Sequence, residues 1–319
     1  MAVALEDFQA AHRRIRHDIL RTPMVTLQPL PDTPPITFKL ELFQHTGSFK
    51  VRGVLNKLAT LAPEEIAAGV ISMSSGNHAQ AVAFGARKAR VPATIVMPSW
   101  SSSSKVDATR SYGAKVILTD GNLLEQVHQL QQEEGLTLIH PFDDPAIIAG
   151  AGTIGLEIVE DSGPPDLVLV SVGGGGLISG VAGFIKQSCP NARIIGIEPE
   201  GADVMTRSLA AGHPVQSSVN TIADGLAAPF VGKHTLAHVQ AFVEQIITVS
   251  DEEILDGLRF LIERCKTWAE PAAAAAIVPL LSQSIDLAGA RNIVCIVCGG
   301  NLDLERMRLL LWPEERAAV

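Results

Sequence analysis

The chain has 319 residues, with 25 basic and 34 acidic side chains and a formal net charge of −9. A net acidic chain without a cluster of lysine or arginine is a poor nucleic-acid binder, and four scattered cysteines are too few for a disulfide framework. Hydrophobic residues make up 47% and aromatic residues only 4% of the chain. The apolar residues are therefore mostly aliphatic, as in buried parallel strands covered by helices, and the length predicts two lobes.

Apolar segments that predict strands alternate with helical patterns along most of the chain. The predicted strands are 36–42, 69–73, 93–97, 114–118, 166–172, 193–197 and 292–297. The predicted helices are 49–61, 77–89, 102–112, 122–134, 146–160, 177–187, 251–266 and 272–281. This alternation predicts right-handed βαβ units, and hence an α/β fold with mostly parallel sheets flanked by helices.

Two features of the chain first suggest other classes of protein. Residues 167–185 are uncharged and long enough for a membrane span, but glycines at 173–176 interrupt them, so a strand, a turn and a helix are predicted instead. Cys295 and Cys298 form a C-x-x-C pair, but they lie in a predicted strand, where residues three apart point to opposite faces. Because no apolar export signal is present either, we expect a cytoplasmic protein.

Lys50 lies in the first of four segments that follow predicted strands, the position at which open parallel sheets bind ligands. It follows a Gly-Ser turn and falls in the first turn of a predicted helix. The helix dipole disfavours a lysine there, and desolvation would lower its pKa and yield an amine nucleophile. The alternative from the residues alone is an ordinary helix-capping turn.

The other three segments also have a functional and a structural interpretation. Residues 74–78, Ser-Ser-Gly-Asn-His, suit a substrate carboxylate at a helix N-terminus, or merely cap the helix. Four glycines at 173–176 allow a phosphate to approach backbone donors, or only form a tight turn. Residues 298–301, Cys-Gly-Gly-Asn, end the last predicted strand. Together with Lys50, these are the parts that a pyridoxal-phosphate (PLP) site requires.

With these segments in this order, the chain resembles the fold type II PLP enzymes, specifically the serine/threonine dehydratase and serine racemase family. The resemblance runs from Arg21 to Asn301, and further similar stretches are 39–41, 46–53, 140–145, 149–155, 221–225 and 270–271. It implies a tryptophan synthase β-like fold of two open, twisted, mostly parallel sheets with PLP between the lobes. The implied domains are a large PLP-binding domain at 1–68 and 145–319 and a small mobile domain at 69–144.

The resemblance also implies roles for individual residues. Lys50 would bind PLP covalently and later remove the Cα proton of the substrate. The other cofactor-binding residues would be Phe49 on the pyridine ring, Asn77 at the ring hydroxyl, Cys298 at the pyridine nitrogen, and Gly173, Gly174, Gly175 and Gly176 around the phosphate. The substrate carboxylate would be held by Ser74, Ser75, Asn77 and His78.

Two departures from the family pattern affect the expected chemistry. Cys298 stands where Ser or Thr is usual, and a neutral thiol is a weaker donor to the ring nitrogen, which suits β-elimination. Many relatives hold a divalent cation on a segment that here retains Glu198 and the carbonyl of Ala202 but carries Val204 in place of a carboxylate. With Asp203 as the remaining carboxylate for this site, we expect weak or absent Mg²⁺ dependence.

The expected activity is that of a PLP-dependent ammonia-lyase that dehydrates L-threonine or L-serine to a 2-oxo acid and ammonia. Racemisation of serine is the main alternative, because Ser75 matches the position of the opposite-face acid in serine racemases. A β-hydroxyaspartate dehydratase or racemase, a β-replacement enzyme and a non-catalytic nucleotide-binding module remain further alternatives. We expect a small-molecule substrate, no nucleic-acid or membrane partner, and a homodimer or homotetramer.

Overall fold

The computed structural model describes residues 2–31 and 33–312, and its larger sheet has six strands. They are β1 (Met24–Leu27), β2 (Ile36–Leu40), β7 (Leu167–Ser171), β8 (Arg193–Pro199), β9 (Gln245–Val249) and β10 (Ile293–Val297). Their order is β1-β2-β10-β7-β8-β9, and all neighbours are parallel except β1 and β2. Every residue of β7 and β10 is buried, as expected for central strands covered on both faces.

The smaller sheet has four parallel strands, all of which lie between Val70 and Leu138. They are β3 (Val70–Met73), β4 (Ala93–Pro98), β5 (Lys115–Thr119) and β6 (Thr137–Leu138), in the order β5-β4-β3-β6. The predicted α/β class, with two mostly parallel sheets flanked by helices, is confirmed.

The helices connect the strands and cover both sheets. In the described residues they are α1 (Leu5–Ile15), α2 (Lys50–Leu58), α3 (Pro63–Ala67), α4 (Asn77–Ala89), α5 (Ser103–Ser111), α6 (Leu123–Glu134), α7 (Pro145–Ser162), α8 (Gly176–Ser188), α9 (Val204–Ala211), α10 (Lys233–Phe242), α11 (Asp251–Glu263), α12 (Pro271–Ala274), α13 (Val278–Leu281) and α14 (Leu304–Leu311). Within the described chain, no helix is both long enough and apolar enough to cross a bilayer.

The single helix predicted over 272–281 is wrong, because the chain forms α12, a 3₁₀ turn (Ala275–Ile277) and α13 instead. Pro279 lies in the first turn of α13, where it has no N–H to continue the α-helical ladder from the preceding turn. The strands β1, β6 and β9 were also not predicted, because they are short or only partly buried and lack a long apolar run.

A cluster of fully buried charges lies beneath α2 and fixes the helix that carries Lys50. The Arg52 guanidinium donates to both oxygens of Glu41 at 2.8 Å and to both oxygens of Glu157 at 2.7 and 2.8 Å. The Lys39 ammonium adds a 2.6 Å hydrogen bond to Glu157. Two cations thus balance two carboxylates, and their fork-like geometry fixes the orientation of α2 against α7.

Candidate active site

Segments that follow four different strands meet in one cleft between the two sheets. The Phe49 N–H donates to the carbonyl of Cys298 at 3.1 Å, which joins the start of α2 to the end of β10. Lys50 Nζ donates to the carbonyl of Pro141, which follows β6 of the smaller sheet, at 3.0 Å. Asn77, at the start of α4, reaches Glu270 of the larger lobe. The structure therefore brings the sequence-predicted segments together.

Lys50 is the first residue of α2, and its amine lies in this cleft. Removal of the amine from water lowers the pKa of Lys50 from 10.5 to about 8, against the smaller opposing effects of Cys298 and Glu270. The ammonium group lies 5.2 Å from the centre of the Phe49 ring. A lysine with a lowered pKa carries more neutral amine near pH 8 and is a better nucleophile and base.

Cys298 is buried at the carboxyl end of β10. Burial, and then the nearby Glu270, raise the pKa of its thiol well above 9, so the group is neutral at physiological pH. A backbone hydrogen bond joins Cys298 to Phe49, so the two residues are neighbours in the fold. An aromatic face and a neutral thiol in one wall suit an uncharged heteroaromatic ring.

The glycines at 173–176 form the turn between β7 and α8. A Cβ built on Gly174 would lie 2.3 Å from the Phe142 ring, and Gly175 has φ +89°, which a residue with a side chain rarely adopts. In the described part of the chain, the N–H groups of Gly173, Gly174 and Gly175 donate to no protein acceptor. These donors at the start of α8 form a cradle for an anion.

The residues present fit PLP at both of its ends. The glycine cradle supplies the donors that a phosphate group requires, and the buried amine of Lys50 supplies the group that binds an aldehyde. Nearby hydroxyl groups strengthen this fit, because the buried side-chain oxygens of Ser48 and Ser171 have no hydrogen-bond partner among the described residues. A polar ligand in the cleft would satisfy groups of this kind.

Residues 74–76 form the turn between β3 and α4, and Asn77 and His78 begin α4, as predicted. Ser74 Oγ accepts a hydrogen bond from the Gly76 N–H at 3.1 Å, while the Ser75 hydroxyl has no partner within the described residues. Gly76 is the N-cap of α4, so the N–H groups of the first turn of α4 have no intrahelical acceptor. This arrangement can hold a carboxylate.

The His78 side chain has a different environment from the one that the resemblance implied. Its ring is buried, and Nε2 lies 3.1 Å from the carbonyl of Ile139, which requires a proton on Nε2. Burial lowers the pKa of His78 to about 3, with a further contribution from Lys50, so the ring is neutral. Nδ1 is then an acceptor and cannot donate to a carboxylate, which leaves the backbone N–H as the group that His78 offers.

Asn77 is held at both ends of its carboxamide. Its Nδ2 donates to Glu270 Oε1 at 2.7 Å, and its Oδ1 accepts from Asn301 Nδ2 at 2.8 Å. Burial raises the pKa of Glu270 from 4.5 to about 7, and the hydrogen bond from Asn77 opposes this shift. The two partners fix the direction of the amide, so that the second N–H of Asn77 remains a donor for a ligand.

Sequence reasoning assigned no role to Glu270, Asn301, Lys105 or Asp224. Lys105, in the first turn of α5, donates to Asp224 Oδ2 at 3.0 Å and joins the smaller sheet's helices to the larger lobe. Two of these residues lie in stretches where the family resemblance was noted, 221–225 and 270–271, but a match in a stretch says nothing about which side chain faces the cleft. Asn301 had a stronger signal, because it follows the end of β10.

The expected cation ligands are engaged with the protein itself. Glu198 Oε1 accepts from the Met205 N–H at 2.7 Å, and Oε2 accepts from the N–H and hydroxyl of Thr206 at 2.9 Å. Asp203 pairs with Arg207, and the carbonyl-bearing Ala202 is buried beside it. Burial raises the pKa of Glu198 to about 7, against these hydrogen bonds. Within the described residues, no three His, Cys, Asp or Glu side chains form a metal-binding group.

Comparisons with known proteins show the family of this chain. Residues 15–299 match the family model described as pyridoxal-phosphate dependent enzyme. The chain is 40% identical to an L-threonine ammonia-lyase of Thermotoga maritima, over 95% of this chain and 76% of that one, and 39% identical to an L-threo-3-hydroxyaspartate ammonia-lyase of Saccharomyces cerevisiae, over 97% and 96%. The structure of maize serine racemase superposes with a TM-score of 0.92 at 35% identity and covers 99% of both chains. The chain belongs to the pyridoxal-phosphate-dependent enzyme family.

Proposed function

We propose that this protein is a PLP-dependent ammonia-lyase that converts L-threonine or L-serine to a 2-oxo acid and ammonia. The observation that carries the proposal is the Lys50 amine, which has a lowered pKa and donates to the carbonyl of Pro141, beside the Phe142 ring that packs against the glycine cradle. The similarity to an L-threonine ammonia-lyase over 95% of the chain supports the same reaction.

The proposed roles follow from the groups that each residue offers. PLP, when bound, supplies the electron-withdrawing ring that acidifies the Cα–H bond of an amino acid. Gly173, Gly174, Gly175 and Gly176 hold the phosphate, Phe49 lies against the ring, and Asn77 donates to the ring hydroxyl. Lys50 accepts the Cα proton, because its lowered pKa keeps part of the amine neutral at working pH. The neutral Cys298 thiol leaves the ring nitrogen without a strong proton donor, which favours elimination.

The substrate carboxylate is proposed to bind at the turn that starts α4. Ser74, Ser75 and the first N–H groups of α4, including that of His78, are the donors there. A carboxylate at a helix N-terminus also gains from the helix dipole. This fixes the substrate with its Cα near the Lys50 amine, while the residues around the cleft exclude water.

Two measurements test this proposal. Borohydride reduction of the yellow holoenzyme followed by peptide mapping is expected to place the pyridoxyl group on Lys50, and a label on Lys39 or Lys57 would contradict the assignment. A panel of D- and L-hydroxy amino acids, assayed for 2-oxo acid release, is expected to give the fastest release with L-threonine or L-serine.

Serine racemisation is the second candidate, and the free Ser75 hydroxyl favours it. Racemisation needs a proton donor on the face of Cα opposite Lys50, and Ser75 Oγ has no hydrogen-bond partner within the described chain. Ser75→Ala is expected to reduce racemisation far more than 2-oxo acid release. Racemisation by the wild type that exceeds pyruvate release would make racemase the better description.

The proposed domain division is a small domain at 69–144 that closes on the rest of the chain. Ser104 Oγ donates to Asp303 at 3.0 Å and Lys105 donates to Asp224 at 3.0 Å, so polar contacts join the two parts at this edge, and apolar residues of α2 and α4 share one buried cluster. We further propose that the protein is cytoplasmic and forms a homodimer or homotetramer. Light scattering of the purified holoenzyme tests the oligomeric state. For the proposed Mg²⁺ site at Glu198, Ala202 and Asp203, the engaged oxygens of Glu198 support weak dependence.

A further inference from the structure

Lys105 occupies a position that its helix alone does not favour. It is the third residue of α5, where the positive end of the helix dipole repels an ammonium group. Its side chain is only 18% exposed, and its ammonium donates to Asp224 across the cleft at 3.0 Å. An ammonium group that is mostly removed from water and lies at the positive end of a helix dipole requires negative charge nearby.

The Lys105 side chain also lies directly over the turn proposed to hold the substrate carboxylate. A Cβ built on Gly76 would be 3.6 Å from Lys105 Nζ, 3.6 Å from Cδ and 3.7 Å from Cε. Gly76 is the N-cap of α4, between Ser75 and Asn77. A carboxylate on the first N–H groups of α4 would therefore lie within reach of this ammonium group.

Asp224 has a second cationic partner, which leaves Lys105 able to turn to another carboxylate. Arg306 donates to the same Asp224 oxygen and also to the carbonyl of Ile222 at 3.2 Å. Asp303, the other nearby carboxylate, caps α14 by accepting from the Arg306 N–H at 3.0 Å and also accepts from Ser104. Asp224 thus keeps an ion pair when Lys105 moves, and the cost of releasing Lys105 is reduced.

We propose that Lys105 binds the α-carboxylate of the amino-acid substrate at the turn that starts α4, and that Asp224 holds the ammonium in place between turnovers. The inference rests on the proposed function, since it takes an amino acid as the ligand of this turn. It adds a charged side chain to a carboxylate site otherwise made of hydroxyl and backbone donors. It also makes substrates without a carboxylate poor ligands.

The test compares L-alanine, which has no leaving group on Cβ, with L-alaninamide, which lacks the carboxylate. Binding of each to the holoenzyme is followed by the change in the visible absorption of the cofactor. In Lys105→Met, the Kd of alanine should rise roughly tenfold, the usual effect of losing one hydrogen bond to a charged group, while the Kd of alaninamide stays unchanged. Lys105→Arg, which keeps the charge, should restore most of the alanine affinity.

Asp224→Asn is the matched variant, because it removes the ion pair and keeps the Lys105 charge. If Lys105 binds the carboxylate, this variant should bind alanine as well as or better than the wild type. If Asp224→Asn weakens alanine as much as Lys105→Met does, Lys105 acts only through the ion pair and the proposal is wrong. Equal losses for alanine and alaninamide in Lys105→Met also overturn it.

Different results would contradict the proposed function and the role of Lys105. A wild-type protein that shows no cofactor band, or no response to alanine, contradicts the proposed function and the role of Lys105 with it. A normal cofactor band and normal alanine response in the wild type, with unchanged alanine affinity in Lys105→Met, contradict only the assignment of Lys105.

Discussion

Replacement of Arg52 by methionine should destabilise the protein far more than the loss of an ordinary ion pair. Arg52 makes four hydrogen bonds of 2.7–2.8 Å to Glu41 and Glu157, and all three side chains are buried. In Arg52→Met, only Lys39 remains to balance the two carboxylates. Leaving a buried charge without its partner costs about 3–5 kcal/mol. This is a large part of the free energy of unfolding of a typical protein, about 5–15 kcal/mol.

The pH dependence of this loss follows from the sign of the Glu157 shift. Burial raises the pKa of Glu157, but the hydrogen bonds and charge of Arg52, with Lys39, hold it below its usual value of 4.5. In the wild type, its contribution to stability is therefore present above pH 4.5 and is lost as the pH falls through the lower folded pKa. Without Arg52 its lowering contributions are lost, so we expect the pKa of Glu157 to rise and the variant to lose stability as the pH rises through that pKa.

The measurement is urea unfolding of cofactor-free wild type, Arg52→Met and Arg21→Met at pH 5 and pH 8. Arg21 is the matched control, because it pairs with Glu160 and Asp161 but is 46% exposed, and pairs of this kind contribute about 0–1 kcal/mol. The assigned role of Arg52 is refuted if Arg52→Met loses no more free energy of unfolding than Arg21→Met. It is also refuted if the deficit of Arg52→Met relative to wild type is smaller at pH 8 than at pH 5.

Three further predictions concern the cleft and the cation ligands. Gly174→Ala places a methyl group against the Phe142 ring, and overpacking of about 1–3 kcal/mol should weaken PLP binding roughly tenfold by fluorescence titration. Because burial raises the pKa of Glu270 from 4.5 to about 7, the free energy of unfolding should fall as the pH rises through this interval, and Glu270→Gln should flatten that fall in urea titrations. Chelation of divalent cations should leave 2-oxo acid release unchanged, since both oxygens of Glu198 already accept hydrogen bonds from the start of α9; a loss that Mg²⁺ restores would contradict this.

The central strands and helices could be predicted from the sequence because local pattern and burial agree there. The helix predicted at 77–89 has these same bounds in the structure as α4, and β10 is shorter than its predicted span by one residue. The pattern failed where packing overrides local preference. β9 has only one fully buried residue and so lacks the clear apolar run of a central strand, whereas β5 lies within one residue of the predicted strand at 114–118.

Less of the candidate site could be predicted, because some of its residues stand out locally in the sequence and others depend on contacts between distant parts of the chain. Lys50 and the glycines at 173–176 are visible in sequence, since an amine at a helix start and a run of glycines are unusual locally. Glu270 and Asn301 act on Asn77 across separations of 193 and 224 residues. A hydrogen bond of that kind depends on how two lobes come together, which no local pattern records.

The charge arrangement of the cleft accounts for the different roles proposed for its two lysines. Lys50 has no carboxylate within hydrogen-bond distance, and its amine donates only to the carbonyl of Pro141 among the described residues, so burial lowers its pKa. Lys105, in contrast, pairs with Asp224 at 3.0 Å and is proposed to bind an anionic substrate. The distribution of nearby carboxylates, rather than the residue type, thus distinguishes the lysine proposed for proton transfer from the lysine proposed for carboxylate binding. An enzyme that transfers a proton from a small amino acid and also binds its carboxylate requires two such different amines within a single cleft.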